Sequence, residues 1–221
     1  PDDGPLDLTD TARLPKLYNI SVHFGPHDPV TNRAGDFLFD HTNTSDHYQH
    51  KIFIEFAVEP VKPGSISGLP SLNYALPLDV VVFSPVYGTV VLVNAQERDN
   101  DYEVGIMPDG FENWRVYLDH VVNLKVKKGD VLVPGDPIGN ATPWGGYKYT
   151  LGFVELQVEK VMRGGSPQAV CPVLLLASGV RADIEERIRQ FAKDWERFLA
   201  RDIYDEQKWT APGCFADKAS S

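Results

Sequence analysis

Between Val80 and Val158 the chain runs in short apolar segments: Val80 to Phe83, Thr89 to Val93, Tyr102 to Met107, Trp114 to Leu118, Val131 to Val133 and Phe153 to Val158. They are rich in β-branched residues and are set apart by Gly, Pro, Asp and Asn, a pattern that predicts short antiparallel strands in a barrel or sandwich. Pro85 to Gly88, Lys128 to Asp130 and Val133 to Gly139 each place glycine where a reversal with positive φ is expected. Upstream, Leu17 to Phe24 reads as a strand, with Leu17, Asn19 and Ser21 on one face and Tyr18, Ile20, Val22 and Phe24 on the other. DFLFD and HKIFIEFAVEP predict two further strands joined by a polar hairpin tip, HTNTSDHYQ. Downstream the period changes. Ile184, Ile188, Phe191, Trp195, Phe198, Leu199 and, at the far end, Ile203 recur at spacings of three and four, which predicts an amphipathic helix of about six turns that packs its stripe on the barrel or docks on another chain.

The phrases SPVYGTVV, VYLDH and VKKGDVLVPGDPIGNA carry a family resemblance. They resemble the core text of lysostaphin-type (LytM) zinc metallopeptidases: an A-P-x-x-G-x-V turn, a Y-x-H strand end and a V-x-x-G-D-x-V-x-x-G-x-x-I-G hairpin pair. The likeness spans residues 69 to 158. Its Gly-Asp hairpin text is shared with biotinyl/lipoyl carriers and sugar-phosphotransferase domains. It implies a mainly β fold, a duplicated-hybrid-motif β-barrel or sandwich, followed here by the long C-terminal amphipathic helix. The expected organisation is an N-terminal tail (1–16), a LytM-like β domain (17–176) and a C-terminal helix and tail (177–221). Within the β domain, flanking strands and a His-rich hairpin occupy 17–68 and the hybrid-motif core 69–158.

By the same resemblance, zinc would be held by the His and Asp of an H-x-x-x-D strand start and by the second His of a late H-x-H, with two further histidines acting on bound water. Registered on LPLDVVVFSPVYG, the first pair falls on Leu69 and Asn73, and the late pair on Phe153 and Glu155; His120 of VYLDH is retained. Leucine and phenylalanine offer no metal donor, and a neutral amide is a poor substitute for a carboxylate. No metal or other cofactor is therefore expected. In some relatives that lost their ligands, the fold activates or scaffolds cell-wall amidases. An alternative strand start, Glu55-Phe-Ala-Val-Glu59, carries carboxylates at the same spacing and would restore a metal site.

Charge and cysteine content narrow the partners. The 221-residue chain has a formal net charge of −10 and a pI near 5.0, which argues against nucleic acid or an anionic membrane as a partner. No apolar run approaches the roughly 18 residues of a spanning helix. Cys171 and Cys214 suffice for one bridge, and sequons stand at Asn19, Asn43 and Asn140. With the family resemblance, these features place the chain in an extracytoplasmic or secreted setting.

His23, His27, His41, His47 and His50 cluster early in the chain, where solvated hairpin residues and a metal site are both open readings. The loop at 61–71 is either a groove wall or a connector. Trp144, Tyr147 and Tyr149 stand among glycines, suited to stacking on a sugar or peptide, or to packing on the core. The candidate site is thus His120 and Glu155 as an acid–base pair, with Asn73, Tyr117, Trp144 and Tyr147 contacting a ligand. The leading expectation is a degenerate peptidase-like domain that binds a peptide, glycan or protein partner in the former active-site groove, without zinc peptidase activity. The alternatives are a metal-dependent hydrolase of peptide, peptidoglycan or polysaccharide with rearranged ligands, and a metal-free hydrolase or lyase using Glu155 and His120.

Overall fold

A computed structural model describes residues 8–39, 71–78, 80–97, 100–143, 151–162, 167–200, 202 and 204–215. The period-two segments become a curled antiparallel sheet: β4 (Leu72–Leu76), β5 (Val81–Phe83), β6 (Gly88–Gln96), β7 (Asp101–Pro108), β8 (Trp114–Val122), β9 (Val131–Leu132), β10 (Pro137–Pro143), β11 (Gly152–Lys160) and β12 (Gln168–Ala169). A small sheet of β1 (His27–Asp28), β2 (Arg33–Ala34) and β3 (Phe37–Leu38) precedes it. The hairpin β13 (Trp209–Ala211) and β14 (Cys214–Phe215) follows.

β11 is the strand on which the polar face is built. Its register sets Glu155 opposite Asn73 of β4 on one side and opposite Asp119 of β8 on the other. Along β8 alternate residues Trp114, Val116 and Leu118 are buried, so this face supplies core while the other stays polar. Leu72, Tyr74, Val104, Ile106, Val154, Leu156 and Val158 complete that apolar layer.

Two glycines are required for reasons the turn pattern did not show. Gly88 lies inside β6, not at a positive-φ reversal; a Cβ there would sit 2.4 Å from the Met107 carbonyl oxygen. Gly139 is likewise a strand residue, and its Cβ would lie 2.5 Å from both Val121 Cγ1 and the Val122 oxygen. Gly129 (φ 96°) and Gly135 (φ 95°) do make the expected left-handed reversals.

The segment from Leu17 to Phe24 differs from the predicted strand. Ser21 has φ 70°, which breaks the extended path, and Asn19 caps the bend: its side chain accepts from the Ser21 amide at 2.7 Å and donates to the Ser84 carbonyl at 2.9 Å. Only Leu17 bridges, parallel, to Leu176. Ile20, Ser21 and Val22 are therefore all buried in succession. Of the predicted strand pair, DFLFD supplies β3, whereas HKIFIEFAVEP and the hairpin tip lie outside the described residues.

The C-terminal helix α1 (Ser178–Leu199) forms as its periodicity predicts, and Ala200 in the left-handed conformation ends it. Its stripe docks on the small N-terminal sheet. Phe191 packs with Phe24, Phe37 and Phe39 at ring-centroid distances of 5.9, 4.9 and 5.3 Å, and Trp195 meets Phe39 at 5.0 Å. Phe37 in turn meets Tyr74 of β4 at 5.7 Å, so β3 is the aromatic link between helix and curled sheet. Cys171 and Cys214 are disulfide-bonded across 43 residues with Cα atoms 6.1 Å apart, tying the final hairpin to the turn before α1. Among the described residues no helix is long and apolar enough to cross a membrane.

Candidate functional site

The polar face of the curled sheet owes its chemistry to one irregularity. Val104 pairs with Leu118 and Tyr102 with Val121, so β8 carries one residue more than β7 over the same interval. His120 takes φ 62° at this bulge. Leu118 and Val121 both keep the core side, and Asp119 and His120 both turn to the polar side. A non-glycine residue in this conformation is uncommon, and the hydrogen bonds around it hold it there.

The His120 Nδ1–H donates to Asp101 Oδ2 at 2.8 Å, and Asp101 is 1% exposed. That bond fixes the ring and leaves Nε2 facing Asp119 Oδ2 at 3.9 Å. Asp119 Oδ1 accepts from Gln96 Nε2 and from the His120 backbone amide, each at 2.8 Å. Glu155 Oε2 accepts from Ser71 Oγ at 3.1 Å and Gln157 Nε2 at 3.2 Å. Asn73 lies beside Glu155 in register, and its amide donates to the Ser71 carbonyl at 3.3 Å. Phe153 packs its ring on the His120 imidazole at 5.2 Å.

Burial and charge shift these groups. Burial lowers the His120 pKa, but the Asp101 hydrogen bond and the charges of Asp119, Glu155 and Asp101 outweigh it, and the net shift is upward. Burial raises Glu155 and Asp119 pushes the same way, partly offset by His120, Gln157 and Ser71. Glu103 is raised by burial and by the charges of Asp119 and Glu159. Tyr117, half-buried and bonded to Glu159, is pushed up to about 12, first by burial and then by the Glu159 charge.

His120, Glu155, Asn73 and Tyr117 thus share one face, while Trp144, Tyr147 and Leu69 lie outside the described residues, as does Glu55 to Glu59. His23 and His27 serve structure. His23 Nδ1 lies 3.2 Å from Asp36 Oδ2, and His27 stacks on Phe39 at 4.2 Å; His41, His47 and His50 are outside the described residues. Sequence reasoning missed Asp101, Asp119, Glu103, Gln157 and Glu159. The alternation in GFVELQVEK carried part of the signal, because period two puts Phe153, Glu155, Gln157 and Glu159 on one face.

Asp119, His120 and Glu155 each offer a ligand atom, all within 4.8 Å of one another. One imidazole nitrogen and two carboxylates are a chemically competent set for zinc, and the Asp101 bond to the far nitrogen is the support that metal-bound histidines ordinarily have. This donor set is not the family's. Only Glu155 stands at a position that the resemblance assigns to a ligand.

No protein-family profile matches the chain, and no curated protein matches it. Solved structures do. Against the catalytic domain of lysostaphin from Staphylococcus simulans the identity is 16% over 57% of this chain and 93% of that one, with a TM-score of 0.42. LytU gives 22% over 55% and 80%, TM-score 0.40. In a solution structure of lysostaphin the match is 18% identical over 49% of this chain, spans 44% of the lysostaphin chain and scores 0.38. The fold itself is mainly β, with a curled antiparallel sheet and one long C-terminal helix.

Proposed function

We infer that the chain is an extracytoplasmic peptidase-like domain that binds a peptide, glycan or protein partner in the groove over β4, β8 and β11, without the zinc peptidase activity associated with the fold. The observation that carries this reading is Phe153. By the resemblance it falls at the first position of the late His pair, and its 4% exposure and packing on His120 support an apolar ring where that family has a catalytic imidazole. The groove oxygens of Glu155 and Asp119 already accept protein hydrogen bonds, as expected of a preorganised polar binding surface. The Cys171–Cys214 disulfide supports an oxidising location.

A second reading, hydrolysis with rearranged ligands, is favoured by the convergence of Asp119, His120 and Glu155. Those residues would hold a divalent ion, which when bound supplies an acidified water. Asp101 would orient the imidazole, and Ser71 and Gln157 would orient Glu155. One experiment separates the readings: metal content by mass spectrometry of protein purified without chelator, for wild type and Glu155→Ala. Substoichiometric metal in both supports the binding domain. Near-stoichiometric metal in the wild type that is lost in the variant overturns it and makes the hydrolase the leading reading.

A further inference from the structure

One end of the polar face holds a buried carboxylate that is only partly satisfied. Glu159 lies two places beyond Gln157 on β11, 5% exposed, and its Oε2 has no hydrogen-bond partner. The Tyr117 hydroxyl donates to Glu159, and Gln157 stands opposite Tyr117 in register. Tyr117 lies across the Gly105 backbone of the neighbouring strand, where an added Cβ would be 2.9 Å from its Cε1. Glu103 is close enough to feel the Glu159 charge. Arg115, in register with Glu159, is near enough for its charge to act on that carboxylate, but it directs its Nη1 to the Glu112 and Trp114 carbonyls at 2.8 and 2.6 Å rather than to Glu159. The result is a buried carboxylate oxygen with no donor, an aromatic face and a second, half-buried carboxylate. Burying an unpaired carboxylate is costly unless a cation arrives to meet it.

We propose that Glu159, Glu103 and Tyr117 form a subsite for the ammonium group of a lysine side chain, carried by a peptide that lies in the groove. The proposal rests on the groove-binding reading and names the ligand chemistry. An ammonium is a compact donor that needs one free oxygen and sits well over an aromatic face. A guanidinium binds best to both oxygens of a carboxylate, and here the Tyr117 hydroxyl already occupies Glu159. A divalent ion wants three converging ligands; among the described residues the one such group is Asp119, His120 and Glu155, which Glu103 and Glu159 do not join. The charge of −10 on the chain favours the same sign of partner.

The test uses the full chain and two probes with blocked termini, Gly-Gly-Lys-Gly-Gly and the same peptide with Nε-acetyl-lysine, read by calorimetry and by amide shifts in NMR. The lysine peptide is expected to bind about tenfold tighter than the acetylated one, to shift amides of β7, β8 and β11, and to weaken as salt is raised. Glu159→Gln, which keeps shape and relieves a buried charge, should abolish that preference, and Glu103→Gln should reduce it. Equal binding of both peptides overturns the lysine subsite and leaves the groove reading standing. Absence of groove shifts with either peptide overturns the lysine subsite and, with it, the peptide form of the groove reading. Binding of calcium that is lost in Glu159→Gln, with no lysine preference, replaces the proposal with an inorganic cation site.

Discussion

Removing the Cys171–Cys214 bridge perturbs the chain in a way the structure makes quantitative. The bond joins residues 43 apart, enclosing α1 and the turn before the last hairpin. In the chain-entropy picture, closing a loop of that length removes about 4 kcal/mol of freedom from the unfolded chain. Cys171 and Cys214 are 2% and 0% exposed, so the sulfurs stay packed after reduction and the loss is chiefly one of constraint. With a urea slope of about 2.5 kcal/mol/M, reduced protein should unfold at a midpoint roughly 1.5 M lower than oxidised protein. Tryptophan fluorescence and far-ultraviolet circular dichroism, followed side by side with and without reductant, measure this, and Cys171→Ala/Cys214→Ala should reproduce it. A midpoint shift under about 0.5 M in both refutes the reasoning, because the unfolded chain would then already hold the two ends together. Early loss of helical signal with the β signal intact refutes it differently: the bridge would then staple a separate unit.

Phe191→Ala empties the ring cluster between α1 and the small sheet and should cost about 3 to 5 kcal/mol in urea unfolding, since Phe191 is 1% exposed among three phenylalanines. A loss below about 1 kcal/mol would mean that the helix is not docked there. Gly105→Ala should displace the Tyr117 ring and destabilise by about 1 to 3 kcal/mol, visible as shifted Tyr117 resonances in NMR; unchanged resonances would contradict the close approach. For pH, the folded pKa values of Glu103, Glu155, Glu159 and His120 are all raised, so the folded state binds more protons than the unfolded one over their titration ranges. Stability should therefore fall as pH rises, from about 4.5 for the carboxylates and from about 6.5 for His120, and Glu159→Gln should flatten the first part. Thermal midpoints between pH 4.5 and 8 that rise or stay level in the wild type would refute this.

Much of the fold was legible because the sheet repeats one local rule. Trp114 to Leu118 alternates cleanly and Thr89 to Val93 is a short β-branched run bounded by turn residues, and the observed strands extend them by a few residues at their ends. The helix was legible for the same reason at a different period. What escaped was non-local or irregular. The pairing of β4 with β11 joins segments far apart in the chain, and Leu17 to Phe24 looks like a strand until Ser21 turns the backbone. The candidate site divides the same way. His120 and Glu155 are legible through the register of the family resemblance, and Asp101 is not, because its role depends on pairing between strands that the chain separates by a turn.

The bulge in β8 behaves like a reading-frame shift confined to two letters. Two residues, Leu118 and Asp119, stand between Tyr117 and His120, and β8 carries one residue more than β7 over this interval. Had the sheet absorbed the extra residue by sliding, every side chain after it would have exchanged faces and the core would have lost Val121. Because His120 takes up the difference in a single left-handed step, the residues before and after keep their places, and only the middle of the groove is rewritten. A carboxylate thereby faces Glu155 from β8, and the imidazole beside it is turned toward Asp101. One extra residue on β8 is enough to bring two acid–base side chains to the same face while the strand on either side keeps its register.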